Sequence, residues 1–170
     1  MSASAFSIRR LVPSDAGVFR EIRLEGLQNA PDAFGSTFEK ESGEPLRYFV
    51  DRLDRNAVFG GFFDNSLLGV AGFYKQEGTK MNHKGVLWGM YVKPEARGSG
   101  LAPALVETVL EHASKEVEQV QLTVVVSNLA ARRFYERMGF VEYGLEKESL
   151  KYREAYFDEA LMVKFLSREE

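Results

Sequence analysis

Residues 86–113 read VLWGMYVKPEARGSGLAPALVETVLEHA, and this stretch decides the fold. Residues 86–92 form an apolar run rich in β-forming side chains, short enough for a buried strand, and Lys93-Pro94-Glu95 ends it. After Arg97-Gly98-Ser99-Gly100 the period changes. Ala102, Leu105, Val106, Val109, Leu110 and Ala113 recur at helical spacing and define one inward face, while Glu107, Glu111, Lys115 and Glu116 take the opposite one. Pro103 sits in the first turn, where its missing N–H removes only a donor that lacks an intrahelical partner anyway.

A strand feeding a glycine-rich turn that opens a helix is a candidate anion site. The unpaired N–H groups and the positive end of the helix dipole point the same way, and glycine lets an anion approach the backbone. Gly98 and Gly100 equally suit a tight turn with no ligand. Two nucleotide motifs are excluded. A P-loop needs Gly-Lys-Ser/Thr where Leu101-Ala102 follows Gly100, and the dinucleotide fingerprint needs a third glycine where position 103 is Pro.

Arg97-Gly98-Ser99-Gly100-Leu101-Ala102 resembles the Q/R-x-x-G-x-G/A signature of the GNAT superfamily of acyl-CoA-dependent N-acyltransferases, in its expected place between a strand and a long helix. Downstream, Asn128, Ala131 and then Phe134-Tyr135-Glu136-Arg137-Met138-Gly139-Phe140 resemble the family's N-x-x-A-x-x-x-Y-x-x-x-G-F segment. The resemblance implies one mixed α/β domain over residues 1–170. It would hold a mostly antiparallel twisted sheet of about six or seven strands, about four flanking helices and a splayed cofactor cleft.

It also implies acetyl-CoA as co-substrate, with no metal. Mapped onto this sequence, backbone groups of Met90, Tyr91 and Val92 would meet the pantetheine, and one free N–H there would stabilise the developing oxyanion. The N–H groups of Arg97, Gly98, Ser99, Gly100, Leu101 and Ala102 would hold the pyrophosphate. Tyr135 matches the family tyrosine that approaches the CoA sulfur as general acid; helical spacing alone reads it as a core aromatic. Asn128 would cap its helix, touch the cofactor, or do both, and Gly89 suits either a strand bulge or a packing position.

The rest of the chain reads in the same order. Residues 6–12 suit a first strand, and Ser14 or Asp15 can cap a helix over 16–29 with Val18, Phe19, Ile22 and Gly26 inward. Residues 30–43 are turn-rich yet carry Phe34 and Phe38, which either close over a ligand or pin the loop to the core. A short helix over 45–55 would turn Leu46, Phe49, Val50 and Leu53 inward. Strands over 57–63 and 67–75, joined by Asp64-Asn65-Ser66, make a hairpin. Residues 121–127 are a buried-looking strand, and Gly139 suits the end of the following helix. Residues 140–144 and 160–166 complete the sheet, with the charged EKESLKYREAYFDE as the connection.

A chain of 170 residues, 45% hydrophobic, suits one globular domain with a sizeable core. Without Cys there are neither disulfides nor thiolate metal sites. The start, MSASAFSIRRLV, lacks a leader pattern, and no run of 18 apolar residues occurs, so the expectation is a cytoplasmic protein with no membrane partner. A net charge of −3, with Arg132-Arg133 and Arg137 the basic face of one helix, argues against nucleic acid. Exposed sheet edges make a homodimer plausible.

The expected reaction is acetyl transfer to a primary amine of a small molecule, an amino acid, polyamine or similar, by direct attack in a ternary complex. A peptide or protein N-terminus is the enzymatic alternative, and a non-catalytic acyl-CoA sensor is the alternative of another class. The acceptor pocket would lie between residues 30–43 and 146–158, with Phe34, Phe38, Glu39, Glu41, Tyr152, Arg153 and Tyr156 among its groups. An alkyl amine is protonated at neutral pH, so a base is required. The strand over 86–92 offers no carboxylate; Glu25, Glu77, His83 and Tyr156 are the candidates, with a water relay the alternative, and His112 reads as a solvated surface residue.

Overall fold

The computed structural model describes residues 6–166; the first five residues, part of the stretch read above for a leader, lie outside them. The chain divides into two compact units, one holding residues 6–74 and Leu87–His112, the other Lys75–Val86 and residues 113–166. Hydrogen bonding orders the seven strands of the described residues β1-β2-β3-β4-β5-β7-β6.

In the first unit, β1 (Ser7–Arg10) pairs antiparallel with β2 (Ala57–Phe63), and β2 pairs with β3 (Ser66–Lys75). The hairpin turns on Asp64 and Asn65, at φ 47° and 70°, the left-handed pair that a two-residue turn between twisted strands demands. Against this sheet lie α1 (Ala16–Asn29), the five-residue α2 (Phe38–Ser42) and α3 (Leu46–Arg55). Their core joins Phe19, Ile22, Leu27, Phe34, Phe49 and Leu53 to Val58, Val70 and Tyr91. Phe34 and Phe38 therefore pin their loop to the core.

Some expected orientations are corrected. Val18 and Leu46 face outward, because the buried stripes run through Phe19, Ile22 and Gly26 on α1 and through Phe49 and Leu53 on α3. Asp15 takes the N-cap position of α1, but its carboxylate accepts from the Val12 N–H at 2.7 Å and from Arg9 instead of capping the helix.

The strand β4 (Lys84–Val92) leads through a 3-10 turn (Pro94–Ala96) into α4 (Leu101–Ser114). Leu101, Leu105, Val106 and Val109 of α4 are buried, as their period requires. The helix comes very close to the sheet. A Cβ at Gly61 of β2 would lie 2.3 Å from Leu101 Cδ1, and one at Gly69 of β3 would lie 2.9 Å from Leu105 Cδ1. The His112 ring meets Phe59 and Phe73 edge-on, with centroids 5.5 and 5.6 Å away, so it is a packed residue and not a solvated one.

In the second unit, Lys84–Val86 of β4 pair in parallel with β5 (Gln119–Val125), in register with Gln119–Gln121. β5 pairs antiparallel with β7 (Ala155–Phe165), and β7 with the edge strand β6 (Val141–Tyr152). The charged segment expected as a connection is thus the arm of a hairpin. Arg153 and Glu154 turn it at φ 49° and 64°. Its carboxylates and lysines alternate along a solvated edge, and where the ladder shifts between Glu146 and Leu150 the Glu148 N–H donates to Asp158 Oδ1 at 2.7 Å. α5 (Leu129–Arg137) starts at Asn128 and ends before Gly139, whose φ of +96° is the left-handed stop expected there. The fold is mixed α/β with a mostly antiparallel sheet, and the α-helices among the described residues number five because α2 is present. No helix of the described residues is long and apolar enough to cross a membrane.

Candidate active site

The last residues of β4 and the turn into α4 lie together in the first unit. Gly89 has φ +66°, a left-handed residue inside a strand, which is the kink a glycine bulge produces. Met90, Tyr91 and Val92 follow it. Lys93 N–H donates to Leu68 C=O at 2.8 Å, and Arg97 Nε donates to Val92 C=O at 3.2 Å, so the loop is tied back to the strand end and the Val92 carbonyl is occupied.

Gly98 and Gly100 stand at φ +78° and +89°. A Cβ at Gly98 would meet nothing within 4 Å, and one at Gly100 would only reach Phe6 at 3.9 Å. These glycines answer to backbone conformation and leave open space in front of the turn. Ser99 shapes the turn from within: its hydroxyl donates to Ala96 C=O and accepts from Leu101 N–H at 3.3 Å. The Gly98 and Gly100 N–H groups have no acceptor among the described residues. Arg97 to Ala102 therefore form a turn at a helix N-terminus with free donors, the arrangement that holds a phosphate.

Asn128 and Tyr135 lie in the second unit. Asn128 Oδ1 accepts from Ala131 N–H at 3.2 Å, so its capping role is present. Tyr135 is buried between Phe134 and Phe140, with ring centroids 5.2 and 5.9 Å away. Burial pushes its phenol well above the ordinary tyrosine range, which keeps it protonated at neutral pH. Burial alone shifts it; no hydrogen bond to its hydroxyl from the described residues contributes.

The sequence profile of the Acetyltransferase (GNAT) family matches residues 24–140, a span that includes β4, the glycine turn, α4 and α5. The chain belongs to the GNAT acetyltransferase family. It is an acyltransferase, and acetyl-CoA is the family's acetyl donor. It is similar to YdaF of Bacillus subtilis (strain 168), provisionally named a ribosomal N-acetyltransferase, at 25% identity over 153 residues, 85% of this chain and 82% of that one. In structure it resembles a GNAT acetyltransferase of Streptococcus pneumoniae (TM-score 0.82, 23% identity, 96% of this chain and 100% of the other). It also resembles yncA of Salmonella typhimurium, provisionally an acetyltransferase, solved with its cofactor acetyl-CoA (TM-score 0.81, 17% identity, 98% and 97%).

Of the base candidates of this GNAT acetyltransferase, Glu25 is the one brought to the kinked end of β4. It accepts a 2.8 Å hydrogen bond from the Tyr91 hydroxyl and lies 3.6 Å from Lys93 Nζ. Burial, then the bond to Glu25, raises the Tyr91 phenol above its ordinary value. Glu77 is exposed, His83 precedes β4, and Tyr156 is on the exposed arm beneath Lys151.

A set of residues that the sequence reading assembled only in part stands behind Gly89. Arg23 of α1 forms a two-pronged pair with Glu41 of α2, Nε to Oε1 at 3.1 Å and Nη2 to Oε2 at 3.0 Å, and Arg52 of α3 reaches Oε1 at 3.5 Å. Burial pushes the Glu41 carboxyl up, but the hydrogen bonds and charge of Arg23 outweigh it, so Glu41 stays ionised with a lowered pKa. Ser36 Oγ lies close enough to lower it further, although its geometry falls short of a full hydrogen bond. Glu41, expected among the groups of an acceptor pocket, is fully buried and paired with Arg23. The one sequence signal for Arg23 is its place on the inward stripe of α1, four residues after Phe19. No group of His, Asp or Glu among the described residues is arranged to hold a metal.

Proposed function

We propose that this enzyme transfers the acetyl group of acetyl-CoA to a primary amine of a small molecule by direct attack in a ternary complex. The observation that carries the reading is the kinked end of β4 running into the Gly98–Gly100 turn, with unengaged N–H groups and open space before it. The turn would take the phosphates, and backbone groups of Met90 and Tyr91 the pantetheine arm.

Acetyl-CoA supplies the thioester. The amine nitrogen bonds to the acetyl carbon, the C–S bond breaks, the amine gives up a proton and the thiolate takes one. Glu25, directly or through a water, is assigned the amine proton, since it is the carboxylate at the β4 end. A backbone N–H in Met90–Val92 is assigned the developing oxyanion. Tyr135, protonated at neutral pH with an unengaged hydroxyl, is assigned the thiolate sulfur, and Asn128 keeps its cap while adjoining the cofactor. The same reading takes the protein to act in the cytoplasm, as a homodimer, with neither nucleic acid nor membrane as partner.

The second acceptor is a peptide or protein N-terminus, a reading supported by the likeness to YdaF, whose provisional name is ribosomal N-acetyltransferase. Thiol release from acetyl-CoA by the purified protein, against amino acids, polyamines and short peptides, separates the two. Release that depends on a small amine supports the first reading; release with peptides alone supports the second. Acetyl-CoA binding without turnover would make the protein a sensor.

A further inference from the structure

We infer that the acceptor of this enzyme is an amine that also carries a carboxylate, such as a small amino acid, its carboxylate held by Arg52 beside the Arg23–Glu41 pair at the Gly89 kink. The inference rests on the acetyl-transfer reading above and narrows its acceptor.

The cluster is unbalanced in charge. Two guanidinium groups share the single carboxylate of Glu41, which is fully buried, while Arg23 is 6% exposed. A guanidinium cannot lose its proton to relieve the imbalance, so one positive charge remains in a largely desolvated place. Burial and the like charge of Arg23 both oppose the protonated form of Arg52. An added anion would offset both.

The cluster also has donors to spare. Arg23 spends Nε and Nη2 on Glu41, leaving Nη1. Trp88, one residue before the kink, has both guanidinium groups against its ring, Arg23 at 5.6 Å and Arg52 at 5.1 Å from the centroid. Its indole N–H is buried without an acceptor. A native buried donor with no acceptor is uncommon, and here it stands among cations.

Position connects the charge to the reaction. A Cβ at Gly89 would lie 3.3 Å from Arg23 Nη1, so the guanidinium rests against the strand backbone where the thioester is proposed to lie. Arg52, with 27% of its side chain exposed, is the member a ligand can reach, and its 3.5 Å contact with Glu41 is the loosest in the set. A carboxylate there would gain charge-assisted bonds from a planar fork, with its amine within a few bonds of the strand. A polyamine would bring like charge to the same place.

The test compares an amino acid, its amide and its decarboxylated amine as acceptors for the wild-type enzyme and for Arg52→Gln, with acetyl-CoA affinity and melting temperature measured alongside. The expected result is a kcat/KM for the acid at least about tenfold above the other two. In Arg52→Gln the KM for the acid should rise by a similar factor, with acetyl-CoA affinity and melting temperature held, and Arg52→Lys should recover part of it. Equal or better use of the amide or amine, or an unchanged KM in Arg52→Gln, overturns the inference and leaves acetyl transfer standing. Failure of every amine, with acetyl-CoA still bound, overturns both.

Discussion

The hydroxyl of Tyr91, on the kinked end of β4, donates a 2.8 Å hydrogen bond to the carboxylate of Glu25 on α1. The bond places a carboxylate at the strand end from a neighbouring helix, where the strand itself supplies none. Glu25→Gln is expected to lower kcat by about a hundredfold, within the range of a lost general base, with little change in acetyl-CoA KM. Tyr91→Phe keeps the carboxylate and should cost much less. Steady-state kinetics of the two variants check this; equal losses would make Glu25 a support for Tyr91 only.

Tyr135→Phe removes one oxygen that no other side chain or backbone group among the described residues engages. The melting temperature and the acetyl-CoA dissociation constant should hold, while turnover falls by about a hundredfold. Loss of acetyl-CoA binding would show the residue to be structural.

Gly100→Ala forces a side chain onto a φ of +89°. The strain is on the order of 1–2 kcal/mol, and because the position adjoins the free N–H groups the change should also weaken acetyl-CoA binding. Calorimetric titration together with thermal melting reads both effects.

Gly61→Ala acts at a distance. Its new methyl would sit 2.3 Å from Leu101 Cδ1, so the fully buried Leu101 side chain at the start of α4 must shift against its neighbours. The overpacking should cost roughly 1–3 kcal/mol, and the strain on the first residue of α4 should raise the acetyl-CoA KM. An unchanged melting temperature would contradict the packing argument.

Much of this was legible because local chemistry fixed it. The apolar run over 86–92, two glycines and a helical period locate β4, its turn and α4, and Asp64-Asn65 marks its hairpin. The observed bounds of α1 and β2 coincide with the expected ones. What escaped depends on tertiary partners. The hairpin of β6 and β7 turns on Arg153 and Glu154, without the Gly or Asn that announces such a turn, and β6 is polar because it is the edge strand. The helix α2 has one turn and a Thr37 cap that accepts from Lys40 N–H at 3.2 Å, a signal easily lost among turn formers. The joining of Arg23, Glu41 and Arg52 spans three helices, and no local pattern encodes it.

The Glu41 carboxyl is held below its ordinary value in the fold, so its stabilising effect is present above the ordinary carboxylate range and is lost as pH falls through the lower folded value. Melting temperature should therefore drop on acidification through that window, and Glu41→Gln should flatten the drop. At neutral pH the variant should be less stable by about 3 kcal/mol, since it leaves buried guanidinium charge uncompensated. Chemical denaturation across pH measures both.

The most direct test of acetyl transfer by attack in a ternary complex is initial-rate kinetics with acetyl-CoA and the accepting amine both varied. Amine-dependent thiol release with intersecting reciprocal plots is the predicted result. Parallel plots, the pattern of a covalent acetyl-enzyme, or no amine-dependent release at all would contradict it.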